Sequence, residues 1–252
     1  MSESPARTED VVVQSAARGY LQRKASSFVG VDFASLTKDY SGMKKINSRL
    51  DPPDLSRPLD DEIETHYVSR KALPNGSVFE GEVDRKGYKH GRGAETTPEG
   101  FVRIGYFQKG AFVAGRMVTP EGDVYQGEFK NELPHGEGVL LKKDGCRVQG
   151  TFRNGVVNGL GKEVTPDGDV YRGQFSQGQR EGQGKLKCQD GSWYEGQWHE
   201  NQMHGEGTLQ DDQDTIYEGE FRSGQLHGKV TMTYADGTVQ KTRFRKGKIV
   251  SS

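Results

Sequence analysis

A single phrase of sequence recurs along this chain with a period of 23 residues, and that period limits the fold before any local property is considered. In the copy DGSWYEGQWHENQMHGEGTLQ, residues 190–210, Tyr194 stands two places before a glycine and serves as the anchor. Equivalent anchors are Phe79, Arg103, Tyr125, Val148, Tyr171, Tyr217 and Gln240, separated by steps of 24, 22 and then 23 throughout. Such regularity marks a chain built by stacking one supersecondary unit, none of which can bury its apolar face alone.

Within a copy the residues read as strand, turn, strand, turn. A glycine follows the anchor by two (Gly81, Gly105, Gly127, Gly150, Gly173, Gly196, Gly219), and an aromatic follows by two more in most copies (Phe107, Phe129, Phe152, Phe175, Trp198, Phe221). Side chains alternate along a strand, so anchor, glycine and aromatic share one face. Ten or eleven residues past the anchor comes HGxG or a relative, at His90-Gly91, His135-Gly136, Asn158-Gly159, Glu181-Gly182, His204-Gly205 and His227-Gly228, which opens the return strand. Asn154-Gly155, Gln177-Gly178 and Ser223-Gly224 turn between the strands, and pairs such as Asn75-Gly76, Asp167-Gly168 and Asp190-Gly191 lead into each new copy. Asn-Gly and Asp-Gly supply the positive φ that tight hairpins require. Bare glycines beside aromatics let each ring lie flat on neighbouring backbone, and larger residues at Gly136 or Gly138 would lift it off.

The segments YEGQWHENQMHGEG, YRGQFSQGQREGQG and YEGEFRSGQLHGKV resemble the MORN repeat, whose pattern is roughly YxGxxxxGxxHGxG. The resemblance covers about residues 75–247, in seven recognisable copies and a degraded eighth. Departures are Arg103 with a shortened second half, Val148, and Gln240 with no HGxG after it. The implied fold class is all-β: an elongated single-layer antiparallel β-hairpin repeat sheet, a MORN solenoid of about fifteen strands. At two strands per copy and about 4.8 Å per strand it would be roughly 70 to 80 Å long.

The part of the chain before the repeats is of another kind. Residues 1–10 are polar and read as disordered, residues 25–74 as an irregular tether or docking segment with Pro52, Pro53, Pro58 and the acidic run Asp60-Asp61-Glu62, and residues 75–252 as the repeat domain. Residues 11–24, VVVQSAARGYLQRK, have no glycine-turn spacing; Val13, Ala16, Ala17, Tyr20 and Leu21 fall on one side of a helix, with Arg18, Gln22 and Arg23 flanking it. The stretch resembles an IQ motif at Val13, Gln14, Arg18, Gly19 and Arg23. That resemblance implies a basic amphipathic helix, Tyr20 and Leu21 included, laid into the groove of calmodulin or a centrin-like EF-hand protein. A helix packed on its own repeat sheet is the plainer alternative.

Composition narrows the function classes. Aliphatic and aromatic residues make up only 31% of the chain while 35 of 252 residues are glycine, which suits a thin sheet. Residues 75–252 hold 24 Lys and Arg against 25 Asp and Glu, so no basic footprint for nucleic acid stands out, and binding to acidic phospholipid is the weaker alternative. No lipidation signal is seen, and Cys146 and Cys188 occupy non-equivalent positions, which fits a reducing, cytoplasmic compartment. His90, His135, His204 and His227 recur at one position, but neighbouring copies put them two strands apart, roughly 9 to 10 Å, too far to share an ion. No metal site and no cofactor are therefore expected. Gly182-Gln183-Gly184-Lys185 lacks the strand-loop-helix setting of a phosphate loop. Glu128, Glu195 and Glu218 alternate away from the aromatic face, and no nucleophile with a base can be assembled, so no enzyme is expected.

Tyr125, Phe129, Tyr171, Phe175, Tyr194, Trp198, Tyr217 and Phe221 would line a continuous aromatic face. With no second layer, part of it would be covered by the tether, a partner helix or a peptide, and a bare apolar stripe is a binding site. The family resemblance implies a scaffold with axonemal or other cytoskeletal protein partners, located on the cytoskeleton and in a cilium or flagellum. Self-association through terminal repeats or a free sheet edge is a further expectation.

Overall fold

The computed structural model describes residues 63–250. The helix expected at 11–24 and the segment up to 62 lie outside the described residues. Among those described there is no helix; seventeen strands follow one another. They form two compact units, residues up to 134 with 140–143, and residues 135–139 with 144 onward.

The first unit carries β1 (Thr65–Ala72), β2 (Val78–Asp84), β3 (Lys89–Thr96), β4 (Val102–Gln108), β5 (Ala111–Val118) and β6 (Val124–Lys130), each antiparallel to the next. β7 (Leu133–Leu141) is divided between the units. The second unit carries β8 (Arg147–Arg153), β9 (Val156–Val164), β10 (Val170–Ser176), β11 (Gln179–Lys187), β12 (Trp193–His199) and β13 (Gln202–Gln210). It continues through β14 (Ile216–Arg222), β15 (Gln225–Thr233), β16 (Val239–Arg245) and β17 (Lys248–Val250), again an antiparallel meander.

β1 is an addition to the expected scheme. It falls inside the stretch read as an irregular tether, 25–74, and pairs with β2 from Thr65↔Asp84 to Ala72↔Val78, with a register break between Val68 and Lys71. Its sequence, THYVSRKA, has neither the strand glycine nor the aromatic of a copy, so the repeat signature does not reach it. The Tyr67 hydroxyl donates to Glu80 Oε1 at 2.7 Å and ties the strand to the first copy; burial and that carboxylate raise the phenol pKa.

Each copy joins its strands by two different turns. At the hairpin tips two successive residues take positive φ, as at Asn154 (+51°) and Gly155 (+90°), the twist that matches paired strands. At the entrances only the glycine does: Gly168 sits at +96°, its N–H donates to Thr165 O at 3.0 Å, and the Thr165 N–H donates to Asp169 O at 2.9 Å. That is a turn closed by a glycine bulge, so the Asp of Asp-Gly keeps an ordinary backbone conformation there.

The tips are stitched from copy to copy. The N–H of Gly178 donates to Val157 O at 2.9 Å, that of Asn201 to Arg180 O at 3.1 Å, and that of Gly224 to Met203 O at 2.9 Å, each reaching one copy back. A second irregularity recurs inside the hairpins, where the register shifts just after the strand glycine: Gly173/Phe175, Gly196/Gln197 and Gly219/Glu220. Bulges bend and tighten a sheet.

Candidate interaction surface

The anchor tyrosines are the fixed points of the second unit. Tyr171 is fully buried, and a Cβ added at Gly184 would meet its Cζ at 2.6 Å, so the ring lies flat on glycine as the spacing requires. Its hydroxyl donates to Gln174 O at 2.9 Å, on the bulge. Tyr194 repeats the arrangement over Gly196 and Gly207, its hydroxyl donating to Gln197 O at 2.8 Å. Burial pushes both phenols up to about 12. One ring thus fills the glycine gap and satisfies a carbonyl that the bulge would leave unpaired.

From these points the rings run edge to face along the unit. Tyr171 meets Phe175 at 5.1 Å and Trp198 at 5.1 Å between centroids; Tyr194 meets Trp198 at 5.3 Å and Phe221 at 4.9 Å. In the first unit Phe79, Phe107, Phe112 and Phe129 form a similar series at 4.6 to 5.2 Å, ending on Tyr125. Of the eight aromatic face residues read from the sequence, Tyr125, Phe129, Tyr171, Phe175, Tyr194, Trp198 and Phe221 are buried and Tyr217 is half-buried. The rings cover one another and form the core of each unit. A partner approaching this face meets the side chains laid over them.

Those side chains come from the return strand, and the spacing argument missed them. Phe175 stands opposite Arg180 and Tyr171 opposite Leu186; Trp198 faces Met203 and Tyr194 faces Leu209; Phe221 faces Leu226 and Tyr217 faces Met232. Directly opposed residues share a face. Leu186, Met203, Leu209 and Leu226 are half-buried, so an apolar band remains partly open over the rings of the second unit. The available signal was the residue before each HG pair together with the one six places on.

Four of these positions carry charge: Lys89, Glu95, Glu163 and Arg180. Arg180 stacks over Tyr171 at 4.9 Å and Trp198 at 5.5 Å while its guanidinium bonds Glu163 Oε2 at 2.8 Å, and Cys146 Sγ lies 3.6 Å from the other oxygen of Glu163. In the first unit Lys89 sits over Phe107 at 4.9 Å and binds the buried Glu95 at 2.6 Å, with Arg103 at 3.2 Å on its second oxygen. Arg103, the departure from the anchor tyrosine, is thus accounted for: it neutralises a carboxylate that stands where the copies anchored at Tyr171, Tyr194 and Tyr217 place leucine or methionine. Removing one partner of such a pair leaves a desolvated charge.

The outer positions hold backbone in place. Glu82 accepts from Arg92 N at 2.7 Å, and Gln174 accepts from Gln183 N at 3.0 Å. Glu128, Glu195 and Glu218 are exposed. His90 is buried, its Nδ1 3.4 Å from the turn N–H of Lys109; His135, His204 and His227 are half-buried. His204 lies 5.5 Å from the ring of His199, which in turn approaches Glu181 at 3.1 Å. Among the described residues no three His, Cys, Asp or Glu side chains are grouped to hold a metal, Cys146 and Cys188 are free thiols, and no helix is long and apolar enough to cross a membrane. Val13, Gln14, Arg18, Gly19, Tyr20, Leu21 and Arg23, expected from the sequence to contact a calmodulin-like partner, lie outside the described residues.

Against known families, five segments match the MORN repeat: 125–147, 149–170, 171–193, 194–214 and 217–239. The copies anchored at Phe79 and Arg103 are not among them, yet fold into hairpins of the same kind, β2–β3 and β4–β5. No curated protein sequence matches the chain. Among solved structures it is similar to the TCP domain of Drosophila melanogaster SAS-4 (dCPAP) in complex with a proline-rich motif of Ana2 (dSTIL). That likeness has 12% identity and a TM-score of 0.39, over 78% of this chain and 97% of that one. It is also similar to the TCP10 domain of Danio rerio CPAP, with 16% identity and a TM-score of 0.28, over 74% and 98% of the two chains. At these TM-scores neither likeness carries a functional argument.

Proposed function

We propose that this chain is a non-enzymatic protein-interaction scaffold. The observation that carries this is the partly open apolar band of Leu186, Met203, Leu209 and Leu226, held over a core of interlocked rings whose spacing is fixed copy by copy. A surface of this kind offers a partner helix or extended segment a footprint that recurs after 23 residues, Leu209 repeating Leu186 and Leu226 repeating Met203, and MORN repeats support reading it as a binding platform. The aromatic residues named from the sequence then serve binding by positioning the band.

The finer reading is a structural subunit of a ciliary, radial-spoke-like or other cytoskeletal assembly, which rests on the family resemblance. Through Val13, Gln14, Arg18, Gly19, Tyr20, Leu21 and Arg23 it would also recruit a calmodulin-like or centrin-like light chain, which rests on the spacing of those residues. The test is retention of the tagged chain after extraction of its own cells with non-ionic detergent. Retention on the cytoskeleton or axoneme is the expected result, and complete release removes the cytoskeletal reading. For the light chain, a peptide of residues 8–28 is expected to bind calmodulin without calcium, and Arg18→Ala with Arg23→Ala to weaken it. Calorimetry showing no heat in either calcium state rejects that partner.

A further inference from the structure

The balanced charge of the repeats conceals an uneven distribution at their C-terminal end. Along β16, Lys241, Arg243 and Arg245 occupy alternate positions and therefore one face. Cross-strand register adds to the same face Lys229 of β15, opposite Arg243, and Lys248 of β17, opposite Arg245. All five are exposed, and the register faces cation against cation twice, which is destabilising in a sheet. Among the described residues no carboxylate lies within ion-pair distance of any of them. The carboxylates on β14 do not relieve them: Glu220 is engaged by Arg222 at 3.1 Å, and Glu218 stands opposite Thr231. The repulsion is left for something outside the described residues to offset.

Two further features say what kind of ligand fits. β17 pairs only with β16 among the described residues, so its other edge presents backbone donors and acceptors beside the cations. Exposed apolar side chains are shared between the two faces of this hairpin: Val239 and Val250 fall with the cations, while Ile249, opposite Phe244, falls on the other side. A membrane meets one face of a sheet. A peptide strand laid along an edge presents side chains to both, and its alternate residues repeat at roughly 6.6 to 6.8 Å, the same pitch as Lys241, Arg243 and Arg245.

We propose that the terminal hairpin β16–β17 is a docking edge for an extended acidic segment of a partner protein, with alternate carboxylates on the cationic face beside Lys248 and within reach of the long side chains of Arg243 and Arg245 across β17. The segment adds as a strand beside β17 and neutralises the like-charge pairs. This deepens the scaffold reading by giving one partner a chemistry; detergent retention and peptide binding can fail independently of each other.

The experiment is fluorescence polarisation of the full chain with a labelled peptide of alternating Glu and Thr. Saturable binding that weakens as salt rises is expected, with a loss of roughly tenfold or more in Arg243→Ala/Arg245→Ala. Lys162→Ala/Arg172→Ala, which removes cations elsewhere in the second unit, is expected to leave binding unchanged. A peptide of the same composition with all its Glu consecutive is expected to bind more weakly, because only every second residue of a strand can face the cations. Absence of saturable binding, binding unaffected by the Arg243/Arg245 variant, or equal binding of the block peptide overturns the proposal. So does sedimentation with phosphatidylserine vesicles in place of peptide binding, which would assign the face to a membrane. Arg172, Arg243 and Arg245 are exposed and Lys162 is half-buried, and an unchanged circular-dichroism melt in each variant separates lost binding from lost folding.

Discussion

Gly184 shows how little freedom a single position has in this architecture. Its backbone is ordinary, yet a methyl there would lie 2.6 Å from Cζ of a tyrosine pinned at its far end by a 2.9 Å hydrogen bond. Gly184→Ala is therefore expected to cost about 1–3 kcal/mol through overpacking, read as a lowered midpoint in chemical denaturation. Tyr171→Phe, which keeps the ring and loses the hydroxyl, should cost only about 1 kcal/mol. Asp214 is the opposite case. It holds φ +60° at the turn position where other copies place glycine, so Asp214→Gly is expected to stabilise by about 0.5 kcal/mol, the gain in the left-handed region exceeding the entropy of the added glycine. The His199–Glu181 pair gives a prediction in pH. The carboxylate raises the imidazole pKa above 6.5 and the imidazole lowers the carboxylate below 4.5. What the histidine contributes is complete below 6.5 and fades as pH rises through its folded value, while what the glutamate contributes is complete above 4.5 and fades on acidification below that. The pair is thus fully formed between those values. Proton NMR should show the His199 titration moving down toward 6.5 in Glu181→Gln; an unmoved titration would mean the contact does not form in solution.

At the level of the hairpin, the strand that carries anchor, glycine and aromatic could be read directly, because a period of two fixes its face. The return strand could not be read the same way. The bulge after each strand glycine adds one residue to one side of the ladder, so counting outward from the tip pairs Phe175 with Arg180 and Trp198 with Met203 but does not reveal that Tyr171 meets Leu186 and Tyr194 meets Leu209. For the same reason the aromatic face looked open in the sequence and is closed in the structure: the rings find cover in neighbouring copies and in return-strand side chains, neither of which a single copy displays. β1 was illegible for a simpler cause, since it borrows its register from β2 without carrying the repeat. The tip turns give the hairpin its own test. Asn201 donates its N–H to Arg180 O at 3.1 Å and accepts the Arg180 N–H on Oδ1 at 2.8 Å, a reciprocal pair between successive copies at a turn with no glycine. Asn201→Ala keeps only the backbone half and places alanine at φ +66°, so a loss of about 1–2 kcal/mol is expected in thermal unfolding.

For the molecule as a whole, the period implies that stability is assembled from neighbours and that a copy can be removed if the count is respected. Deleting residues 171–193 joins Val170 to Tyr194, an anchor preceded by an apolar residue as in the parent, and preserves both strand direction and face. It also strands Glu163, whose partner Arg180 is lost, so that a largely buried carboxylate would face the Met203 position with no cation. The deletion is therefore expected to retain the β-sheet spectrum and a cooperative melt at reduced stability, and Glu163→Met in the deleted chain to recover part of the loss. Deleting residues 171–182 instead removes one strand and its tip, which reverses the direction of everything after it. That chain is expected to lose cooperative unfolding. Equal behaviour of the two deletions in circular-dichroism melts would contradict nearest-neighbour assembly, because a sheet indifferent to strand direction could not owe its stability to the contacts that link Tyr171 to Trp198 and Tyr194 to Phe221.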